Sequence, residues 1–407
     1  MPFLKLFVLT VLFGISLLVC VPILPAGRDG EPVRLPRVEP KTVGMDSAKL
    51  DRIDETVNQA IAEGRLPGCV IAVVRQGKMG FLKAYGHRAV LPDRESMTAD
   101  TVFDLASLTK PVATATAIMM LVEKGRLHLD DAANRHLPEF TGHGKERITI
   151  EHLLLHTSGL IADNPLADYE HDPETAWKRL CDLKPMASPG ERFIYSDVGY
   201  IVLGKLVERV GGLSLDQFTH RHVFHPLGMR ETGFLPDEKL RPRIAPTEMR
   251  MGRWLRGEVH DPRAARLGGV AGHAGLFSTA DDLAVFVQML LNGGQVNGRR
   301  ILDGKTVAEM TRPRQIPGGL RALGWDVETA YSGNRGERFP VGSFGHTGFT
   351  GTSLWIDPAS QTGVIFLSNR VHPDGKGNVN RLRGDVATLV AEALIPPLPK
   401  RGSASVP

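Results

Sequence analysis

Apolar residues recur along this chain with two different periods, and the change of period separates its layers. Leu50, Ile53, Val57 and Ile61 fall on one face at helical spacing, and Gly64 stands where a C-terminal cap belongs, which predicts a helix. Residues 70–75 and 80–84 are strand-like runs with Gln76-Gly77 at the turn between them. The middle of the chain reads as helical. Helices are predicted over 110–123 (closed by Gly125), 151–156, and 198–210 before Gly211-Gly212. A further helix starts at Thr279, with Asp282 completing a capping box, and stops at Asn292-Gly293-Gly294. Strand character returns at 353–356 and 363–367, split by the turn signal Asp357-Pro358, and a last helix is predicted over 381–394. Strands near both ends with helices between them predict an α+β domain. Its sheet is built from the two chain ends and it carries a largely helical insert, unlike a doubly wound fold.

The first residues do not follow this pattern. After Lys5, residues 6–24 are uncharged and mostly apolar; Pro25-Ala26-Gly27 and the first charges, Arg28 and Asp29, follow. A basic start, an apolar run and a small-residue exit predict export, with residues 1–26 a signal peptide or a retained membrane anchor. Leu17-Leu18-Val19-Cys20 loosely resembles a lipoprotein box, so lipidation at Cys20 is a third fate. Residues 27–42, rich in prolines and charges without a period, read as a linker; 43–397 form the folded domain and 398–407 a tail.

Composition narrows the class. The chain has 407 residues, 42% hydrophobic and 23% charged, enough for a sizeable core in a globular domain. The net charge is only +4 and Lys and Arg are dispersed, so nucleic acid is not an expected partner. Behind the leader only Cys69 and Cys181 remain, which is no disulfide framework; both are expected to be unpaired.

Three short constellations could carry chemistry. In Ser107-Leu108-Thr109-Lys110 the lysine lies one helical turn past the serine, so a neutral amine could take the hydroxyl proton. Tyr195-Ser196-Asp197 follows the turn Pro189-Gly190-Glu191 and precedes a helix; a phenol there could share a proton with Lys110, whose cation would favour the phenolate. Gly345-His346-Thr347-Gly348 sits just ahead of a predicted strand, where a glycine-flanked edge offers N–H groups to an oxyanion. Taken singly, each also reads as a helix cap, a turn tyrosine or a structural histidine. No G-x-S-x-G, H-E-x-x-H or phosphate loop is present, so no metal or cofactor is expected. Gly268 to Gly275 reads as a tight, packed segment beside the cleft.

In order and spacing these three motifs resemble those of the β-lactamase-related serine hydrolases: class C β-lactamases, serine DD-carboxypeptidases and related esterases. Val102-Phe103-Asp104-Leu105-Ala106, Leu153-Leu154-Leu155-His156-Thr157-Ser158-Gly159-Leu160, Pro226-Leu227-Gly228-Met229 and Gly275-Leu276-Phe277-Ser278-Thr279 extend the likeness over roughly residues 43–394. Val259-His260-Asp261, residues 269–275 and Ser368-Asn369-Arg370-Val371-His372-Pro373 resemble a subgroup of cell-wall DD-carboxypeptidases. The resemblance implies a β-lactamase/transpeptidase-like fold and acyl transfer through an acyl-enzyme on Ser107. It also implies proton exchange by Lys110 and Tyr195, and oxyanion donors at the N–H of Ser107 and Phe349. His346 would face a substrate carboxylate or the Tyr195 hydroxyl, and Asp197, Thr347, Gly348 and Phe349 would contact substrate.

Two departures bear on the substrate, a small molecule or a peptidoglycan-derived one. Many relatives have Asn in place of Asp197, and lactamases of this type usually have Lys in place of His346. An ionised Asp accepts where Asn would donate, and a histidine is only partly charged near neutrality. Lactam hydrolysis is therefore less favoured, and a DD-carboxypeptidase-like or related peptidase of cell-wall type is expected, with carboxylesterase or weak class C-type β-lactamase as alternatives. An inactive penicillin-binding-like sensor or scaffold is the non-enzymatic alternative, against which stand Ser107, Lys110 and Tyr195 together. Ser158 is the competing nucleophile. A fluorophosphonate probe should label the wild type and Ser158→Ala but not Ser107→Ala, read by in-gel fluorescence; label on Ser107→Ala would overturn the assignment.

Overall fold

The computed structural model describes residues 32–401. The leader, Cys20 and the last six residues lie outside the described residues. Among the described residues no helix is long and apolar enough to cross a membrane.

A nine-stranded antiparallel sheet forms the frame. Its strands are β1 (Gly68–Arg75), β2 (Lys78–Ala89), β3 (Glu95–Ser96), β4 (Arg314–Ile316), β5 (Gly319–Ala322), β6 (Trp325–Glu328), β7 (Phe344–Thr347), β8 (Ser353–Asp357) and β9 (Thr362–Ser368). They lie in the order β4-β5-β6-β7-β8-β9-β1-β2-β3. The two chain ends meet at the β9–β1 seam, where Cys69 faces Ser368 and Arg75 faces Thr362. Gln76 and Gly77, with φ of 50° and 80°, make the β1–β2 turn, the doubly left-handed geometry that suits the twist of a hairpin. The sheet thus joins both ends, as the sequence pattern implies.

Alternation along β1 divides the core in two. Cys69, Ile71 and Val73 pack with the N-terminal helix Ser47–Ala62 and the C-terminal helix Asn380–Ala393. Val70, Ala72 and Val74 face the larger core, which contains helix Ala280–Leu291 and the helical region. Both faces are covered, so β1 is buried throughout and its run is apolar without alternation. Cys69 and Cys181 are buried and unpaired.

Several expectations need correction. The strands from 314 to 347 are short and irregular and do not stand out in the hydrophobic pattern. His346 and Thr347 lie on a strand of their own, β7, which pairs with the expected strand that follows it, β8. Only half of the capping box forms: Thr279 Oγ1 accepts from the Asp282 N–H, but the Asp282 carboxylate turns to Thr232 Oγ1 and the Glu231 N–H. The helix after Ser107 opens as a wide π-type stretch, Lys110–Ala115, before Thr116–Glu123. The described part of the expected linker packs on the domain, with Val33 and Leu35 in the core and Val38 N–H bonded to Met79 O. The expected tail likewise begins in contact, since Leu398 O accepts from Arg338.

One close approach positions the site. Helix Asp197–Gly211 and the glycine-rich segment touch at Gly272, where an added Cβ would lie 1.9 Å from Tyr200 O and 2.9 Å from Gly204 N. The next residue, His273, bonds the catalytic lysine candidate through its carbonyl. Gly272→Ala must therefore push the segment away, and overpacking of this kind costs about 1–3 kcal/mol or more. Denaturant titration should show that loss, and fluorophosphonate labelling should slow with it.

Candidate active site

Ser107 lies in a tight turn, Ala106–Leu108, entered through strained backbone. Ala106 has φ of 47°, a left-handed value that costs a residue with a Cβ about 1–3 kcal/mol. Its surroundings fix it there. Asp104, wholly buried, accepts from the Ala106 N–H at 2.8 Å and from the His260 N–H at 2.6 Å. Thr109 Oγ1 donates to Ala106 O, while Thr350 and Thr352 hydroxyls donate to the carbonyls of Asp104 and Leu105. The nucleophile turn is thereby pinned to the loop after β7.

Lys110 has no exposed surface. Its Nζ donates to Ser107 Oγ at 3.0 Å and to His273 O at 3.1 Å, and lies 2.6 Å from Asp197 Oδ1. Burial works to strip its proton, but the Asp197 carboxylate, with Tyr195, outweighs burial and holds the amine above the ordinary lysine value. The ion pair with Asp197 thus favours the protonated amine, against the neutral lysine expected. At Tyr195 the phenol is favoured over the phenolate. Burial raises its hydroxyl above the usual value despite the Lys110 charge and hydrogen bonding to Ser107 and Lys110.

Asp197 begins its helix but does not cap it; Ser196 does, accepting from the Gly199 N–H at 3.0 Å. That frees the carboxylate to face Lys110, so its place is beside the lysine and not only along the substrate wall. Tyr195 stacks on His156, centroids 4.3 Å apart, and on Tyr331 at 5.2 Å. His156 in turn accepts from the Ser196 N–H through Nδ1 at 2.9 Å. His346 is buried on β7 with Nδ1 on the Thr347 carbonyl, its ring 6.0 Å from that of Tyr195. Burial, then the Arg321 and Lys110 charges, keep both His156 and His346 well below the ordinary histidine value, so both are neutral. Gly348 N–H is taken by Thr352 O, which leaves Phe349 as the next candidate for an oxyanion donor.

Two cavities meet at Ser107, Tyr195, Tyr331 and Phe349. One, of about 500 Å³, is lined by His346, Thr347 and Gly348 and by Arg321, Arg370 and Arg383. Arg383 is 5% exposed and donates to Gly348 O and Asn380; Arg370 donates to Phe349 O and two loop carbonyls. Among the described residues neither has a carboxylate partner, whereas Arg321 has Asp326. The other cavity, of about 610 Å³, is lined by Asp163, Asp197, Glu248, Asp261, His260 and His273. Ligand atoms of Asp197, Asp261 and His273 come within 4.8 Å of one another. Lys110 already meets the charge of Asp197, and His273 Nε2 that of Asp261 at 2.9 Å. We assign no metal there.

The structure thus gathers Ser107, Lys110, Tyr195, Asp197, His346, Thr347, Gly348 and Phe349 around one cleft. Sequence reasoning gave no role to Asp104, His156, Tyr331, Arg370 or Arg383. His156, Asp104 and Arg370 lay inside motifs already noted for their likeness. Arg383 gave no signal, because a basic residue in a helix resembles a solvated one.

The Beta-lactamase family model matches residues 53–388, and the chain belongs to that family. The protein is a serine hydrolase of the β-lactamase/DD-peptidase type, with the β-lactamase/transpeptidase-like fold. It is 33% identical to a Bacillus subtilis (strain 168) protein named N-acetylmuramyl-L-alanine amidase, over 86% of this chain and 89% of that one. It is also 33% identical to a Salmonella agona (strain SL483) protein named "Putative D-alanyl-D-alanine carboxypeptidase", over 83% and 86%. Among solved structures it is similar to EstCE1, a hydrolase with promiscuous acyltransferase activity (TM-score 0.70, 27% identity, 85% of this chain and 99% of that one). A class C β-lactamase at 19% identity, with a TM-score of 0.70 over 86% and 97%, shares the fold.

Lys110 and Tyr195 share hydrogen bonds with one hydroxyl and should act as a unit. Lys110→Ala and Tyr195→Phe should each slow ester acylation by orders of magnitude, with the double variant little worse than either. Stopped-flow acylation rates in which the two losses multiply would show separate roles.

Proposed function

We propose that this protein hydrolyses an amide close to a free carboxylate in a peptidoglycan-derived fragment. Ser107 is the nucleophile, Lys110 and Tyr195 move the protons, and the N–H groups of Ser107 and Phe349 receive the oxyanion. What carries the reading is a pair of guanidiniums with no carboxylate partner among the described residues, buried Arg383 and half-buried Arg370, in the cavity that opens on Ser107. A buried cation left without a counter-charge is costly, and a substrate carboxylate offsets that cost on binding. Burial and the Arg370 charge already press the Arg383 guanidinium below its ordinary value. The neutral His346 adds no fixed charge of its own. The relatives' names, an amidase and a carboxypeptidase, both describe amide chemistry, and the apolar leader 6–24 supports a place outside the cytoplasm.

Turnover of a D-alanyl-D-alanine peptide and of N-acetylmuramyl-L-alanine should be compared with that of their carboxamides and of nitrocefin. At least one free acid should exceed its carboxamide about 10- to 100-fold in kcat/KM, the order of one charge-assisted contact of 1.5–3 kcal/mol. Arg370→Gln should erase that preference while keeping short-ester hydrolysis. Equal turnover of acids and carboxamides, or nitrocefin above both, would overturn the reading.

A further inference from the structure

Tyr195 brings its hydroxyl to Ser107 and Lys110 from a stretch, 192–196, that is neither helix nor strand. A side chain on such a stretch is placed only as well as its neighbours hold it. One residue holds this stretch at three points. His156 accepts the Ile194 N–H on its carbonyl at 2.9 Å and the Ser196 N–H on ring Nδ1 at 2.9 Å, one bond on either side of Tyr195. Its ring lies on the Tyr195 ring, with centroids 4.3 Å apart and planes inclined by 28°. Resting on the serine-hydrolase reading above, we propose that His156 is a positioning residue for proton transfer. It fixes the Tyr195 hydroxyl between Ser107 and Lys110, and acts on the reaction only through that hydroxyl.

The backbone of His156 supports this role. Its φ of 59° lies in the left-handed region, where few residues with a Cβ sit. It is anchored there by its own N–H, which donates to Leu153 O in helix Ile150–Leu154, and by the Tyr200 ring at 4.9 Å. Tyr200 belongs to helix Asp197–Gly211, so His156 ties the tyrosine of an irregular stretch to two helices. Tyr195 also meets Tyr331, at 5.2 Å. That ring is half-exposed, however, and its residue forms no hydrogen bond with 192–196 among the described residues.

Histidine is the side chain that meets all of these demands at once. Because Nδ1 accepts an N–H it carries no proton, so the ring hydrogen is on Nε2. There it has no hydrogen-bond partner among the described residues, although the residue is buried. An unpaired buried N–H is costly, so the ring is not kept for its donor. A phenylalanine would avoid that cost and preserve the stack, yet offer Ser196 no acceptor. An asparagine would offer an acceptor and tolerate a left-handed backbone, but it has no ring. His156 forms no hydrogen bond with Ser107 or Lys110 among the described residues. Its route to the chemistry runs through Tyr195.

Fluorophosphonate labelling of Ser107, followed against probe concentration, tests the proposal. His156→Phe, which keeps the stack, and His156→Asn, which keeps the acceptor, should each lower the limiting rate. The expected loss is about 10- to 100-fold, the order that an ångström of misplacement costs, with the half-saturating probe concentration unchanged. In Tyr195→Phe protein, which already lacks the hydroxyl, adding either substitution should cost nothing more. General damage to the fold would instead carry over into that background. Persistence of the greater part of the loss in Tyr195→Phe would overturn the proposal. So would a wild-type rate in either folded variant, or a loss that falls on the half-saturating concentration instead. Near-UV circular dichroism reports folding; should one variant not fold, the other decides. If neither folds the proposal fails, because a residue that acts only through Tyr195 is not needed by the fold. Absence of label on the wild type would instead remove the serine-hydrolase reading, and this inference with it.

Discussion

The Lys110 ammonium sits inside the protein with no exposed surface, and the surrounding architecture is the set of groups that makes this tolerable. An uncompensated ammonium in such a place costs several kcal/mol. Its three partners come from three separate stretches of chain: Ser107 from the turn after the first strands, Asp197 from a helix start, and His273 O from the glycine-rich segment. None of them can move without leaving the charge partly unmet. Gly272 is part of the same constraint, because only a residue without Cβ lets that segment approach the helix closely enough.

The remaining polar residues divide the cleft into unlike halves. On one side guanidiniums are held by backbone carbonyls, which position them without neutralising them. On the other, carboxylates are met by Lys110, Arg263 and His273. The first half is therefore left with positive charge that no carboxylate among the described residues meets, whereas the second is satisfied within the protein. Strain follows the same division of labour. The left-handed Ala106 is kept in place by Asp104, a side chain that faces no substrate but ties the nucleophile turn to the His260 segment.

Much of the frame is legible in the pattern of side chains. The helices over Leu50 to Ile61 and from Thr279, the β1–β2 hairpin and the β8–β9 pair are long or sharply punctuated, and they stand where the periodicity places them. Strands β4 to β7 are not legible, since each has three or four residues and takes its order from its neighbours in the sheet. Among site residues, Ser107, Lys110 and Tyr195 could be found because their spacing carries the chemistry. Arg383 could not, as its burial follows from packing of the last helix against helix Ser47–Ala62 and the turn Ser332–Arg335.

Order and spacing of Ser107, Lys110, Tyr195 and His346, and the apolar runs that become the central strands, were determined by the sequence alone, because reaction chemistry and strand burial both demand particular residue types. Protonation was decided only by the tertiary structure. Whether Lys110 is an amine or an ammonium depends on a carboxylate 87 positions away lying 2.6 Å from it. Whether His346 bears charge depends on burial beside Arg321 and Lys110. A residue's identity fixes which charges it can carry, but its solvation and neighbours fix which one it does carry, and those exist only once distant segments have packed together.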